Sequence, residues 1–331
     1  MKILLTGISG FLGSHVAALL NHQGHEIFAL IRKTSKLDHL SFPFHRIESE
    51  LPNIENLIPI LSQVDVVIHI AGKVKALSQK EFEETNALGT HNLAQACLQA
   101  NPIPKLFIYI STIAVINPSM DGNDFCIPAE RCHPLSWYGQ SKLDGEKALQ
   151  CLKGKMRTLI LRPPVLYGPR DQELFTLFKT INRGFAPLYG NGSNKLSLCY
   201  VKDVANCVLD LVQKFPTQDE IYCLDDGSIH TWKSLAQNIA NNLNKKIYLL
   251  PIPRFLFSLG ALFTELYAKL SSKAQIFTLN KIKEMKQASW VCGYEKLEKH
   301  RGWKPKTSLV NGLEKTIAWF KQNMGIYRKN L

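Results

Sequence analysis

The sequence predicts an α/β fold in which a doubly wound parallel sheet carries a smaller, mostly C-terminal cap. Three observations lead there. The stretches VDVVIHIAG (64–72) and KLFIYIST (105–112) are so apolar that both faces of each strand must be covered. Helical stretches separate these strands, as parallel pairing requires. A glycine-rich turn, TGISGFLGSH (6–15), joins the first strand to the first helix.

Taken in order, KILLTG (2–7) is a short buried strand, FLGSHVAALLNHQG (11–24) a helix ending at Gly24, and HEIFALIR (25–32) a second strand. The strand at 64–72 follows, then a single helix over EFEETNALGTHNLAQACLQA (81–100), then the strand at 105–112. SWYGQSKLDGEKAL (136–149) is helical, and RTLILRPPVLYG (157–168) supplies one more strand. Beyond Gly168 the alternation breaks into loops such as GFAPLYGNGSN (184–194), with a late strand, EIYCLDD (220–226), returning to the sheet. The expected organisation is therefore a dinucleotide-binding domain over 1–168 and a substrate-binding cap over 169–331, interleaved through that late strand.

Length and composition narrow the class. A chain of 331 residues with 45 % hydrophobic and 20 % charged residues buries a large core and is not disordered. The 40 Lys+Arg against 27 Asp+Glu give +13, which favours anionic ligands or surfaces. Basic residues are not interleaved with aromatics in the manner of a nucleic-acid-binding face, so no nucleic acid is expected. The eight cysteines form no Cys-x-x-Cys and have no histidine-rich companion, which argues against a metal site and reads as reduced thiols of a cytoplasmic protein. The apolar run at the amino terminus is short and meets glycines at once, unlike a signal peptide.

Gly7, Gly10 and Gly13 sit where a strand turns into a helix. That turn needs glycine for positive φ and for close approach to a pyrophosphate, while the helix amino terminus offers free N–H groups and the positive end of a dipole. The spacing is G-x-x-G-x-x-G, and its position directly after a strand and before a helix supports dinucleotide binding. Tyr138 and Lys142 are one helical turn apart and project the same way. Alone, such a pair is ordinary helix packing; beside a dinucleotide turn it is a proton-transfer pair, in which the ammonium is expected to lower the phenol's pKa.

In register along the chain, TGISGFLGSH, HIAG (69–72), NALGT (86–90), Ser111-Thr112, YGQSK (138–142) and RPPVLYGP (162–169) resemble the extended short-chain dehydrogenase/reductases. That group holds the NAD-dependent epimerases/dehydratases and the dihydroflavonol reductase-like and 3β-hydroxysteroid dehydrogenase-like enzymes. YVKDVA (200–205) and GWKPKTSLVNGLEKTIAWF (302–320) extend the resemblance over nearly the whole chain. It implies a Rossmann-type fold and an enzyme. It implies that Tyr138 exchanges a proton with the substrate oxygen, that Lys142 also holds the nicotinamide ribose, and that Thr112, with Ser111 as the near alternative, orients that oxygen. It further implies cofactor contacts at Phe11, Leu12, Leu51, Ala71, Gly72, Pro163 and Val165, with Glu50 near the adenine.

The second strand ends in FALIRKTSK (28–36), which offers Arg32 and Lys33 and no carboxylate to accept a bond from a ribose 2′-hydroxyl. NADP(H) is accordingly favoured over NAD(H). Two departures from the family narrow the chemistry. The sugar dehydratases follow their threonine with Asp-Glu, whereas Ile113 and Ala114 stand here, which argues against dehydration. Pro164 replaces the asparagine frequent in the UDP-sugar epimerases, which disfavours epimerisation. AVINP (114–118) also lacks the family's usual Tyr-Gly.

The expectation is an oxidoreductase interconverting a carbonyl and an alcohol on an apolar, polycyclic or lipid-like substrate. The alternatives are a nucleotide-sugar epimerase or a non-catalytic dinucleotide-binding partner. Residues 249–270 are the most apolar run, interrupted by Arg254, Glu265 and Lys269. They are read as packing over the substrate pocket, with a peripheral membrane contact as the alternative. A monomer or homodimer fits equally.

Overall fold

The computed structural model describes residues 1–49, 55–118, 125–271, 273–275 and 277–328. Seven strands form one parallel sheet: β1 (Lys2–Thr6), β2 (Glu26–Ile31), β3 (His45–Glu48), β4 (Val66–His69), β5 (Leu106–Ile110), β6 (Arg157–Arg162) and β7 (Glu220–Cys223). Their order is β3-β2-β1-β4-β5-β6-β7, and every pair is parallel. The connections run outward in opposite directions from β1 and β4. A crevice therefore opens at the carboxyl ends of these two strands, where such sheets bind their ligands.

Alternate residues of the central strands feed two cores, one on each face. Ile3, Leu5, Ile68, Ile108 and Leu161 pack under the first helix, Phe11–His22; Leu4, Val67, Phe107 and Ile160 pack with Leu93, Ala94 and Cys97 of the helix Gly89–Gln99. A third core, built around Phe175, Phe178, Leu313 and Phe320, belongs to the cap.

One strand was not expected and three expectations are corrected here. The polar strand β3 carries no apolar run and pairs through its backbone with β2, so periodicity did not show it. The stretch 157–168 is two strands: it breaks at Pro163-Pro164, which lack an N–H for the ladder, and Val165–Tyr167 pairs instead with Leu198–Tyr200. The helix expected over 81–100 contains a π-helical turn at Glu83–Leu88 between two α segments. Finally, the helix Val201–Gln213, assigned to the cap by its position in the chain, packs beside the first helix under the sheet through Val204, Val208 and Leu211.

The helix Arg254–Ser271 covers most of the apolar run. It rests on the cap through Ala261 and Ala268, with Phe257 ring centroids 5.1 Å from Tyr189 and 5.8 Å from Phe277. Its other apolar side chains are exposed rather than packed, contrary to the expectation of a helix buried over the pocket.

Candidate active site

The glycine turn leaves β1 at Gly7, whose φ of +78° only glycine adopts without strain. A methyl group there would lie 2.7 Å from the Ala71 backbone nitrogen, and one on Gly13 would collide with the Gly7 carbonyl. Both glycines are thus fixed by close packing of strand, turn and helix. Gly10 differs: a methyl group on it would meet only the Gly7 oxygen, at 3.2 Å. Gly10 caps the helix with extended backbone, no acidic side chain stands in the first turn, and the amides of Phe11, Leu12 and Gly13 precede the first intrahelical bond. An open cradle beneath a positive helix end fits a dinucleotide pyrophosphate.

A polar crossbar ties β1 to β4. Thr90 donates its hydroxyl to the Asn86 carbonyl (2.7 Å), so it accepts from His69 Nε2 (2.9 Å). His69 Nδ1 must then accept, and the Thr6 hydroxyl, 2.7 Å away, donates to it while accepting from the amides of Ile70 and Ala71 (3.2 and 3.0 Å). Burial, reinforced by the charge of Lys142, pushes the His69 imidazole down to about 3, so the ring is neutral, as this network demands. Asn86, on the π-helical turn, spends its whole amide: Oδ1 accepts from Lys73 N (2.8 Å), and Nδ2 donates to Lys73 O and to Ser141 Oγ (2.9 Å each). Ser141 in turn donates to the Tyr138 carbonyl (2.8 Å), which anchors the loop after β4 to the tyrosine helix, Trp137–Ala148.

Lys142 is buried at the end of β5. Its Nζ donates to the Ile110 carbonyl (2.6 Å), lies 4.1 Å from the Tyr109 ring centroid, and would stand 3.8 Å from a methyl group on Gly72. Burial, partly offset by Glu146, lowers it to about 7. Tyr138 is half-buried, its ring 6.1 Å from Phe82, with the Thr112 hydroxyl near enough to act on its phenol.

The phenol does not behave as expected. Burial raises its pKa, the negative charge of Glu284 raises it further, and the nearby Thr112 hydroxyl only partly opposes them. Lys142 is turned to Ile110 and Tyr109, so its charge does not offset that burial.

The two hydroxyls after β5 point to different places. Thr112 accepts from Ala114 N (3.2 Å) on the side of Tyr138, whereas Ser111 is buried and donates to Glu146 Oε1 (2.5 Å). Glu146 pairs with Arg162 at 2.9 Å to Nε and 2.5 Å to Nη2, and both side chains are fully buried. Arg162 Nη1 reaches the carbonyls of Phe125 and Ile127 (2.8 Å each). From the cap, Glu284 accepts from Ser136, the amino-terminal cap of the tyrosine helix, and from Lys281 Nζ (2.7 Å).

The carboxyl edge of the sheet thus brings together Gly7, Gly10, Gly13, Ala71, Gly72, Thr112, Tyr138 and Lys142. Pro163 is buried there with its carbonyl accepting from Ile113 N (3.1 Å), and Val165 is exposed. Arg32 and Lys33 are exposed just past β2, in a turn closed by Arg32 N on Ser35 Oγ (3.0 Å). Glu50 and Leu51 lie outside the described residues. Sequence reasoning missed His69, Asn86, Glu146, Arg162 and Glu284. The first two lie inside the quoted HIAG and NALGT, and Arg162 ends an apolar strand, a placement that demands a partner; nothing in the sequence marked Glu284. Among the described residues no group of three or more His, Cys, Asp or Glu side chains is placed to hold a metal ion.

The family model described as "NAD dependent epimerase/dehydratase family" matches residues 3–223. The chain is 28 % identical to the UDP-glucose 4-epimerase of Vibrio cholerae, over 97 % of this chain and 96 % of that one. It is 26 % identical to the ceramide reductase of Caulobacter vibrioides, over 96 % of this chain and 94 % of that one. Among solved structures, the UDP-glucose 4-epimerase of Thermus thermophilus in complex with NAD superposes with a TM-score of 0.75 at 22 % identity, covering 97 % of this chain and 99 % of that one.

Proposed function

Because the chain belongs to the NAD dependent epimerase/dehydratase family, and so is an NAD(P)-dependent enzyme of the extended short-chain dehydrogenase/reductase type, we propose that it reduces the carbonyl of an apolar, lipid-like or polycyclic substrate with NADPH. The observation that carries this reading is the placement of Tyr138 and Lys142 on one helix at the carboxyl edge of the sheet, the phenol against Phe82 and raised in pKa by burial and by the charge of Glu284.

A protonated phenol is an acid. As negative charge develops on a carbonyl oxygen, Tyr138 gives that oxygen its proton and Thr112 holds it in line. Solvent then restores the proton to the phenolate, while Lys142, on the same helix, stays turned to the Ile110 carbonyl and the Tyr109 ring. The nicotinamide, when bound, supplies the hydride. Gly10 and the first amides of the helix Phe11–His22 would hold the pyrophosphate, Lys142 and the Ala71–Gly72 backbone the nicotinamide side, and Arg32 the 2′-phosphate.

The two relatives are nearly equal in identity and differ in substrate, so identity does not choose between them. The residues do. Phe82 lies against the phenol ring, and Ile113 and Ala114, which follow Thr112, supply no further acid or base. The charges of Glu284 and Glu173 act on Tyr138 and suit a neutral substrate better than a nucleoside diphosphate.

Incubating the pure protein with NADPH and long-chain or polycyclic ketones, beside UDP-glucose, tests the proposal. Net NADPH oxidation with a ketone supports it. Interconversion of UDP-sugars without net oxidation would replace it by epimerisation, and inertness towards the whole panel would refute the apolar carbonyl substrate.

A further inference from the structure

The helix Arg254–Ser271 presents a face that no other element among the described residues covers. Phe255, Leu259, Phe263, Leu266, Tyr267 and Leu270 are exposed by 69, 47, 63, 50, 57 and 88 % respectively. At about 100° per residue they fall within about a third of the helix circumference, a stripe with no charge in it. Isolated exposed leucines are normal on a protein surface; a continuous aromatic and leucine stripe is not. The opposite side is firmly held: Ala261 and Ala268 are buried, Phe257 packs on Tyr189 and Phe277, and Thr264 donates to the carbonyl of Phe277. The stripe is therefore presented by an anchored helix and is not a core face that lacks its cover.

We propose that this face is a membrane-docking surface whose occupant is a bilayer containing anionic lipid. Charge is the first argument. Residues 245–286 contain eight Lys or Arg against two acidic residues, a net +6 of the chain's +13. Lys245, Lys246, Arg254 and Lys273 among them are exposed beside the stripe in sequence. An apolar face flanked by cations is the composition of a helix that lies in the headgroup region of an anionic leaflet. A second copy of the chain fits worse, because joining two such faces would bring their basic flanks together.

Length is the second argument. The helix spans 18 residues, about 27 Å at 1.5 Å per residue, enough to lie along a surface. No helix among the described residues is long and apolar enough to cross a membrane.

The third is its link to the site. Leu279 N donates to Glu265 Oε1 (2.9 Å), which ties this helix to the start of the helix Leu279–Met285, and that helix carries Glu284 to Ser136. A docked face would lie one short helix away from the tyrosine helix. The proposal nevertheless stands apart from the substrate, since docking is measured without one.

The test is co-sedimentation of the full chain with vesicles of phosphatidylcholine alone and of phosphatidylcholine with phosphatidylglycerol. Binding is expected to the mixed vesicles only, and to weaken with added salt. Phe263→Ser/Leu266→Ser should lower the partition coefficient by at least about tenfold. Lys245→Ala/Lys246→Ala should lower it by about thirtyfold. Both variants alter exposed side chains, so melting temperature and NADPH affinity should not move. A Phe263→Trp probe should show blue-shifted emission with mixed vesicles. The proposal is overturned by absence of binding to mixed vesicles, by an unshifted tryptophan, or by undiminished binding of the serine variant. A concentration-dependent dimer in light scattering that the serine variant abolishes, without vesicle binding, would assign the face to a second copy instead.

Discussion

Replacing Glu146 by leucine should destabilise the protein by more than any single surface change, and the size follows from counting donors. Arg162 has five N–H groups, and all are used: Nε and one Nη2 hydrogen on Glu146, two from Nη1 on the carbonyls of Phe125 and Ile127, and one towards Cys132 Sγ at 3.4 Å. Glu146 also accepts from Ser111. Glu146→Leu strands two guanidinium hydrogens and one hydroxyl, and leaves a fully buried cation without its counter-ion. Breaking a buried pair in this way costs about 3–5 kcal/mol. With an unfolding entropy of about 2.1 cal/mol/K per residue, a chain of this length loses roughly 4–7 °C in melting temperature. The double variant Glu146→Leu/Arg162→Met removes both charges and should recover most of that loss, because an apolar pair of similar volume is often no worse than a buried ion pair. Thermal and urea denaturation of wild type, both single variants and the double variant form the cycle. A loss below about 1 kcal/mol in Glu146→Leu, or a double variant less stable than either single one, would refute the argument that this pair locks the ends of β5 and β6 to the tyrosine helix.

Four further outcomes are expected. Gly10→Ala should fold with an unchanged melting temperature but bind NADPH more weakly, whereas Gly13→Ala should lose stability through collision with Gly7; calorimetry on both separates the cradle from the packing glycine. Tyr138→Phe should leave NADPH affinity nearly unchanged and lower turnover by about a hundred- to ten-thousand-fold, with Thr112→Ala milder in the same steady-state assay; full turnover in the phenylalanine variant would remove the acid assigned here. Arg32→Ala should reduce NADPH affinity and leave NADH affinity unchanged, and equal losses for both would count against a 2′-phosphate contact. For pH, Lys142 is held down to about 7 when folded against an ordinary 10.5, so the unfolded chain binds the extra proton between those values. Its stability contribution is full above the unfolded value and is lost as pH falls towards about 7. The melting temperature of the wild type relative to Lys142→Met should therefore rise from pH 7 to pH 10, and a flat difference would contradict the burial of a cation at that position.

The sequence by itself determined those features that depend on near neighbours in the chain. Strands apolar on both faces force a parallel sheet covered by helices. Glycine is the only residue that takes the φ of Gly7 and leaves room at Gly10. The one-turn spacing of Tyr138 and Lys142 places both on the same helical face. Tertiary structure alone decided what depends on residues distant in sequence. Two adjacent hydroxyls, Ser111 and Thr112, look equivalent in the chain; the strand end turns one towards the buried Glu146–Arg162 pair and the other towards the phenol. The sign of the Tyr138 shift was set by desolvation and by Glu284, a cap residue far along the chain, while the lysine one turn away is turned to the Ile110 carbonyl. β3 owes its place to backbone bonds with β2, which leave no mark in side-chain pattern. The helix at 254–271 shows the same division: its apolar content was plain in the sequence, but which side it buries depended on Tyr189 and Phe277, and the stripe they leave uncovered faces outward. Spacing fixes which side chains share a face, while burial and charge, which set what those side chains can do, are fixed by whatever the rest of the chain packs against them.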